Sequence, residues 1–220
     1  MIHNLHIAID GPAASGKTAS AKKLSKELKI PYIDTGIMYR GLSYYLLTKI
    51  KEFNSKNVIE NFDFDNNVSM LVDEDQKIFI NDCDITQYLY TEEVTKLVSF
   101  FASIEAVRVY LVKEQRLMAR NKDLIMVGRD IGTVVLPNAE LKIFLIASIE
   151  ERARRRFAER EDQSYSDILE SIKNRDVIDS TREVAPLKTP ENAVIIDTEG
   201  IDIIEVSNKI IKEIDNEHSI

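Results

Sequence analysis

Residues 11–18 constrain the fold most, since they read Gly-Pro-Ala-Ala-Ser-Gly-Lys-Thr and match the G-x-x-x-x-G-K-[ST] pattern of phosphate-binding loops. The apolar segment 5–9 before them has the length of a strand, and residues 19–28 after them have helical periodicity. This order turns backbone N–H groups and the positive end of a helix towards one anion, which a chance glycine-rich turn would not do. The pattern therefore predicts an α/β fold in which Lys17 reaches the β- and γ-phosphates of a nucleotide and the Thr18 hydroxyl contacts Mg²⁺.

The composition indicates one globular chain without a membrane or nucleic-acid partner. Its 220 residues, of which 44% are hydrophobic, suffice for one core with an inserted subdomain. A net charge of −8 argues against general nucleic-acid binding, which favours basic surfaces. The chain enters its first predicted strand almost at once, no apolar run approaches membrane-spanning length, and Cys83 is the single cysteine. We therefore expect no signal peptide, no intrachain disulfide and a cytoplasmic location.

The pattern alternates between strands and helices except between residues 61 and 90. There, residues 63–70 and 77–80 have strand-like patterns separated by polar turns, which predicts an inserted antiparallel subdomain. The alternation elsewhere predicts a parallel sheet flanked by helices. The remaining expected strands are 31–34, 124–127, 142–147 and 193–198. The expected helices are 38–50, 148–160, 167–177 and 201–215, and Thr35 is the expected N-cap of the first of them. A further helical region begins at Thr91 and is expected to break at 104–105.

Charged residues near the expected strand ends are candidate ligand-binding groups. Arg129 and Asp130 follow the uniformly apolar strand 124–127, at the edge where open α/β sheets bind ligands. Arg152 and Arg156 lie four residues apart in an arginine-rich helix, which suggests a polyphosphate ligand in a chain of acidic total charge. A salt-bridged surface helix is the open alternative for these two arginines.

Three further polar residues lie on predicted helices, namely Arg40, Ser99 and Arg108. From the pattern alone, Arg40 also fits a solvated surface arginine. Ser99 and Arg108 also fit polar residues left among apolar neighbours by packing.

Four segments resemble bacterial cytidylate kinases, a family of nucleoside monophosphate kinases, and the resemblance covers nearly the whole chain. The most specific segment, 128–139, reads Gly-Arg-Asp-Ile-Gly-Thr-Val-Val-Leu-Pro-Asn-Ala. The others are 34–40, 151–156 and the stretch from Arg175-Asp176 to 185–187. The resemblance implies an enzyme, an ATP-dependent (d)CMP kinase that transfers a phosphoryl group from Mg-ATP to CMP or dCMP, and it implies a monomer.

The resemblance also implies a domain organisation. It predicts a P-loop NTPase-type parallel sheet flanked by helices, with an inserted antiparallel NMP-binding subdomain and an arginine-rich lid. The expected boundaries are about 1–60, 91–150 and 167–220 for the core, about 61–90 for the insert and about 151–166 for the lid.

Roles are implied residue by residue. For ATP and its Mg²⁺, the loop pattern and the resemblance imply Gly11, Pro12, Ala13, Ala14, Ser15, Gly16, Lys17, Thr18 and Ala19, with Thr18 on the metal, Arg152 on adenine and Arg156 on the phosphates. For the acceptor, the resemblance implies Arg40, Arg129, Arg175 and Arg182 on the phosphate, Thr35 and Asp179 on the ribose, and Ser99, Arg108 and Asp130 on cytosine. It implies catalytic roles for Lys17, Arg129 and Arg156. Aspartate acceptors, arginine donors and a hydroxyl suit the mixed hydrogen-bonding edge of cytosine.

Two positions depart from the family pattern. Thr18 directly follows Lys17, where family members often have a small residue first. Val127 stands where an acidic residue commonly precedes the Gly-Arg-Asp segment. If that acid orders the water shell of Mg²⁺ in the family, either another carboxylate does so here or the metal affinity is weaker. Asp34 and Asp130 are the candidate carboxylates.

The loop by itself also fits other nucleotide-binding proteins. A GTPase is disfavoured, because Leu124 stands where the guanine-binding Asn-Lys-x-Asp pattern that begins at Asn121 requires aspartate. A P-loop binding or regulatory protein without kinase activity remains an alternative, although the intact arginine set argues against it. A kinase for another small acceptor, such as UMP or a non-nucleotide metabolite, is the other alternative.

Overall fold

The computed structural model describes residues 4–50, 55–159 and 163–217, and their side chains as far as residue 214. The chain divides into two compact units, which are Met1–Tyr32 with Asn121–Ile220 (the first unit) and Ile33–Arg120 (the second unit). The predicted insert 61–90 falls inside the second unit. The predicted core, lid and arginine-rich helix include residues 1–3, 51–54, 160–162 and 218–220, which lie outside the described residues.

The described strands form two sheets. In chain order they are β1 (His6–Asp10), β2 (Tyr32–Asp34), β3 (Met70–Val72), β4 (Ile78–Ile80), β5 (Cys83–Asp84), β6 (Leu124–Val127), β7 (Leu141–Ile146) and β8 (Val194–Asp197). A five-stranded sheet has the order β2-β6-β1-β7-β8, and a three-stranded sheet has the order β3-β4-β5.

The described α-helices cover most of the remaining chain. They are α1 (Lys17–Leu28), α2 (Thr35–Lys49), α3 (Lys56–Glu60), α4 (Phe64–Asn67), α5 (Glu92–Phe101), α6 (Glu105–Ala119), α7 (Ile149–Ala158), α8 (Tyr165–Thr181) and α9 (Ile203–Glu217). None of the described helices has the length and apolarity that a membrane span requires.

The five-stranded sheet is the predicted parallel sheet, and it carries the core of the first unit. In β1, Ile9 lies opposite Val127 of β6 on one side and Ile143 of β7 on the other, in parallel register. These side chains pack in one buried cluster with Leu24 of α1 and Ile210 of α9. Each fully buried side chain of this size contributes about 1.5–3 kcal/mol. The continuous apolar runs therefore mark central strands that helices cover, and the predicted fold class is confirmed.

The three-stranded sheet is antiparallel and lies within the second unit. The predicted antiparallel sheet is thus confirmed, but the predicted strand at 63–70 is wrong over most of its length. Residues 64–67 form the short helix α4, because the Asp63 carboxylate accepts from Asn66 N at 3.2 Å and caps the turn. Phe64 is buried there and stacks on Tyr110 with ring centroids 5.4 Å apart.

Helix α2 begins earlier than predicted. Its N-cap is Asp34, whose carboxylate accepts from Gly36 N at 2.9 Å, and Thr35 is already the first helical residue. The prediction of Thr35 as N-cap is therefore wrong by one position, because the carboxylate of the preceding residue, Asp34, accepts from the N–H group of Gly36. The predicted break at 104–105 is confirmed, since α5 ends at Phe101 and α6 begins at Glu105.

Two features beside the candidate ligand-binding residues were not predicted. A π-helical turn, Ile131–Val135, follows Asp130 directly. Helix α8 continues to Thr181 rather than ending at 177, so that Asp179 lies on the helix. Residues 178–181 contain neither glycine nor proline, and nothing in them stops the helix before Pro186.

Candidate active site

The loop 11–18 joins β1 to α1 in backbone conformations that its glycines allow. Gly11 has a φ of 146°, and a Cβ at this position would lie 2.3 Å from the carbonyl oxygen of Leu145. Gly16 has a φ of 90° and is the N-cap of α1. Residues 17–19 then form the first turn of α1, and the positive end of the helix dipole therefore lies at the loop, as the predicted anion-binding role requires.

Two cationic side chains lie against carbonyl oxygens of this loop. Lys17 Nζ donates to Pro12 O at 2.5 Å and to Ser15 Oγ at 3.3 Å. Arg152 Nη1 donates to Ala13 O at 3.2 Å. Both side chains are buried, which holds their charges at the loop. An anionic ligand is a stronger partner for such charges than a neutral carbonyl oxygen is.

The arginine-rich helix α7 directs its guanidinium groups to different partners. Arg152 also pairs with Asp176 Oδ2 of α8 at 2.7 Å. Arg156 pairs with Glu159 Oε2 at 3.2 Å, and 33% of its side chain is exposed. Of the two arginines predicted for the donor site, the structure therefore places Arg152 at the loop and Arg156 beside Glu159.

Asp10 is a buried carboxylate that sequence reasoning missed. It ends β1 directly before the loop, and its two oxygens accept from Ile131 N and Gly132 N at 2.8 Å each. Burial raises the pKa of Asp10 from 3.8 to about 6, although the two hydrogen bonds oppose this shift. These bonds fix the start of the π-helical turn that follows Asp130. A signal was present in the sequence, because an acid at the end of a buried strand requires buried hydrogen-bond donors.

Three arginines and two aspartates meet within the first unit; we call Arg129, Asp130, Arg175, Asp179 and Arg182 the arginine cluster. Arg129 Nε pairs with Asp179 Oδ2 at 2.9 Å, and Arg175 Nε lies 4.0 Å from the same oxygen. Arg182 Nη2 lies 3.5 Å from Asp130 Oδ1. Burial raises the pKa of Asp179, but the neighbouring guanidinium charges outweigh it and hold that pKa below 3.8. Three cations against two anions leave a positive excess that suits a phosphate.

In the second unit, Arg40 of α2 is buried. Only 4% of its surface is exposed. Its Nη1 donates to Leu89 O at 3.1 Å and to Thr95 Oγ1 at 3.0 Å. Its guanidinium lies 4.8 Å from the ring centroid of Tyr90. The alternative of a solvated surface arginine is therefore contradicted.

The other predicted residues of the second unit are Thr35 on α2, Ser99 on α5 and Arg108 on α6. Thr35 and Arg108 are buried, and Ser99 is half-buried. Arg108 Nη1 donates to Ala102 O at 3.2 Å, and its guanidinium lies 5.5 Å from the ring centroid of Tyr39. A charge at this depth is stabilised by such partners.

Thr18 is the loop residue that fits a Mg²⁺ ion. Its hydroxyl belongs to an exposed residue in the first turn of α1, and Mg²⁺ prefers oxygen ligands. Of the two carboxylates predicted to order the water shell, Asp130 faces Arg182 and Asp34 caps α2. Asp10 stands nearer to the loop in sequence, but both its oxygens accept backbone hydrogen bonds.

Comparisons with known proteins identify relatives along nearly the whole chain. The family model of cytidylate kinase matches residues 7–216. A cytidylate kinase from a Geobacillus strain is 46% identical over 222 residues, and the alignment covers 99% of this chain and 99% of the relative. A cytidylate kinase from Fusobacterium nucleatum is 44% identical over 216 residues, covering 96% of this chain and 98% of its own length.

One solved structure supports the fold independently. An uncharacterized protein from Eubacterium ventriosum has a TM-score of 0.56 at 16% identity, covering 96% of this chain and 99% of its own. That likeness concerns the fold alone, whereas the family match spans the loop, α7 and the arginine cluster. The chain therefore belongs to the cytidylate kinase family of nucleotide kinases, which are phosphotransferases.

Proposed function

We propose that this chain transfers the γ-phosphoryl group of Mg-ATP to CMP or dCMP, giving ADP and CDP or dCDP. The observation that carries the proposal is the arginine cluster, which belongs to the same unit as the phosphate-binding loop. Its positive excess suits a second phosphate group beyond the one that the loop would bind. Membership of the cytidylate kinase family supports a nucleotide acceptor, and the name of the relatives points to cytidylate.

On the donor side, we assign the phosphates of ATP to residues 11–19. Lys17 exchanges its bond to Pro12 O for the β- and γ-phosphates in this scheme. Arg152 lies against adenine, and Arg156 leaves Glu159 to contact the phosphates. Mg²⁺, held by the Thr18 hydroxyl, would neutralise charge on the phosphate oxygens.

On the acceptor side, each unit supplies candidate residues. The second unit supplies Arg40 for the phosphate, Thr35 for the ribose, and Ser99 and Arg108 for cytosine. The first unit supplies Arg129, Arg175 and Arg182 for the phosphate, Asp179 for the ribose and Asp130 for cytosine. Asp179 is held as a carboxylate by its arginine neighbours, so it accepts hydrogen bonds from ribose hydroxyls at neutral pH.

The chemistry requires positioning more than acid–base catalysis. The phosphate oxygen of CMP is already anionic at neutral pH, so no side chain has to remove a proton before it attacks the γ-phosphorus in line. Lys17 and the arginines stabilise the charge that spreads over the transferred group. Closure of the α7 region would exclude water, which would otherwise accept the phosphoryl group.

A panel of acceptors tests the proposal most directly. ADP release from ATP is measured with a coupled assay for CMP, dCMP, UMP and AMP at equal concentration. We expect turnover with CMP or dCMP to exceed that with UMP or AMP by a wide margin. A wide preference for AMP or UMP would remove the cytosine-reading roles of Ser99, Arg108 and Asp130. No ADP release with any acceptor would favour the binding or regulatory alternative.

A loop variant tests the mechanism. Lys17→Met should lose at least about a hundredfold in kcat, because one charge that stabilises the transition state is removed while the fold is retained. Lys22→Met is the matched control, since Lys22 is an exposed lysine of the same helix. Both variants should keep the far-ultraviolet circular dichroism of the parent. Near-parental turnover of Lys17→Met would take the loop lysine out of the mechanism.

We further propose that the chain acts as a monomer in the cytoplasm, with small-molecule partners only. The single cysteine, Cys83, is exposed and suits a reducing compartment. Sedimentation at several protein concentrations tests the oligomeric state, and a concentration-dependent mass would contradict a monomer.

A further inference from the structure

Arg155, a third arginine of α7 to which neither the sequence nor the family resemblance gave a role, is joined to the turn after β8. Its Nη1 donates to Thr198 Oγ1 at 3.0 Å, and its Nη2 donates to the carbonyl oxygen of Thr198. Its Nε donates to Glu151 Oε1 of the same helix at 2.9 Å. The guanidinium is therefore held in one orientation by three bonds, two of them to one residue of another element.

Thr198 in turn contacts the phosphate-binding loop. It is 1% exposed, and its Oγ1 lies 3.0 Å from Ile146 O and 3.4 Å from Ser15 O. Because Arg155 donates to this hydroxyl, the single proton of the hydroxyl is shared between the two carbonyl oxygens. The buried hydroxyl thus accepts from α7 and shares its one proton between a carbonyl oxygen of β7 and one of the loop.

The contact between Thr198 and Ser15 O affects the orientation of a backbone N–H group in the phosphate-binding loop. The carbonyl of Ser15 and the N–H of Gly16 belong to one peptide unit, and in a trans peptide they point in opposite directions. A hydrogen bond that holds the Ser15 oxygen therefore also sets where the Gly16 N–H points. Gly16 itself lies close to Arg155, since a Cβ built on it would be 3.8 Å from Arg155 Nη1.

The same turn is tied to α7 a second time. Glu199 accepts from Ser148 N at 2.8 Å and from Ser148 Oγ at 2.9 Å, and Ser148 is the N-cap of α7. The turn at 198–199 therefore contacts α7 at its N-cap and, through Arg155, in its last turn. This arrangement places the loop, the turn and α7 in one hydrogen-bonded network.

We propose that Arg155 and Thr198 are positioning residues for the nucleoside triphosphate: together they orient the Ser15–Gly16 peptide so that the Gly16 N–H faces the donor phosphates. The inference rests on the proposed function only in taking ATP as the donor. It assigns no contact with the acceptor. Loss of either residue therefore weakens ATP binding and leaves the KM for CMP unchanged.

The test measures ATP binding directly in the 220-residue chain. A non-hydrolysable ATP analogue with Mg²⁺ is titrated calorimetrically into the parent and into Thr198→Val, Thr198→Ser and Arg155→Met. Thr198→Val removes the hydroxyl at nearly constant volume and should raise the Kd about threefold to tenfold, the loss expected for one hydrogen bond. Thr198→Ser keeps the hydroxyl and should bind within about twofold of the parent. Arg155→Met should match Thr198→Val, and the double variant should be little weaker than either, because both act on one contact.

Arg154→Met is the matched control, because Arg154 has the same charge on the same helix, pairs with Glu151 and has 69% of its side chain exposed. It should bind the analogue within about twofold of the parent. Parental affinity in Thr198→Val, or an equal loss in Arg154→Met, would overturn the proposal. If Arg155→Met does not fold, the Thr198 pair decides alone. Since binding is measured without an acceptor, a parent that binds the analogue but does not phosphorylate CMP refutes the proposed function and not this inference.

Discussion

Removal of the Asp179 carboxylate should destabilise the first unit, because that carboxylate balances more than one guanidinium. Asp179→Asn keeps the shape of the side chain and removes its charge. Asp179 Oδ2 lies 2.9 Å from Arg129 Nε and 4.0 Å from Arg175 Nε, and 6% of the Asp179 side chain is exposed. The substitution therefore leaves two arginines facing each other without the anion between them.

The magnitude follows from these distances. At an effective dielectric constant of about 20, a unit charge pair at 2.9 Å interacts with roughly 6 kcal/mol, and one at 4.0 Å with roughly 4 kcal/mol. The cost of desolvating the carboxylate offsets a large part of this attraction. Removing one partner of a buried ion pair lowers the free energy of unfolding by about 3–5 kcal/mol. For a chain of this size the melting temperature should fall by roughly 6–20 °C.

The destabilisation caused by Asp179→Asn should depend on pH. Because the pKa of Asp179 lies below 3.8 in the folded chain, its stabilising effect is complete above the unfolded value and is lost as the pH falls through the folded one. The difference in melting temperature between parent and variant should therefore be largest near neutral pH and shrink below about pH 4. High concentrations of sulfate should restore part of the loss by placing an anion near the arginines.

Thermal unfolding followed by circular dichroism measures these differences. Glu191→Gln is the matched control, since it also removes one carboxylate charge but from an exposed residue of the first unit. It should change the melting temperature by less than about 2 °C. If Asp179→Asn melts within 2 °C of the parent at neutral pH, the carboxylate does not hold the arginine cluster together.

Two further predictions concern one residue in each unit. If Arg40 binds the acceptor phosphate as proposed, Arg40→Met should raise the KM for CMP roughly tenfold to a hundredfold, because one charged hydrogen bond is lost, and should leave the KM for ATP unchanged. An unchanged KM for CMP would limit Arg40 to its bonds with Leu89 and Thr95. Gly132→Ala should cost about 1–3 kcal/mol of unfolding free energy in urea titrations, because its Cβ would lie 2.9 Å from Cγ of the rigid Pro190 ring; a parental midpoint would mean that the π-helical turn shifts freely.

The sequence predicted the elements whose signal is local. The loop 11–18 is defined by spacing within one strand–loop–helix unit, and the apolar runs that became β1 and β6 have the pattern of strands buried on both faces. The predicted helix start and one predicted strand were wrong where an aspartate side chain caps a helix at a position that the local pattern did not indicate. Asp34 replaced Thr35 as the cap of α2, and Asp63 turned residues 64–67 into a helix.

For the candidate site, the sequence indicated the residue types but not which of them are in contact. The residue types of the arginine cluster could be read from the motifs, but the pairing of Arg129 with Asp179 joins residues 50 positions apart. The bonds from Asp10 to Ile131 and Gly132 join residues more than 120 positions apart and depend on β1 lying beside β6. Among the arginines of α7, helical spacing alone could not tell which one reaches the turn after β8.

The sequence alone therefore determined the class of fold, the phosphate-binding loop and the kinds of side chain available for a phosphoryl-transfer site. These depend on periodicity and on backbone conformations within a few consecutive residues. The tertiary structure decided which charges meet, which carboxylate is buried before the loop and which arginine of α7 contacts Thr198. Those outcomes depend on strand order and helix packing, because burial and hydrogen bonding between distant residues exist only once the sheet has assembled.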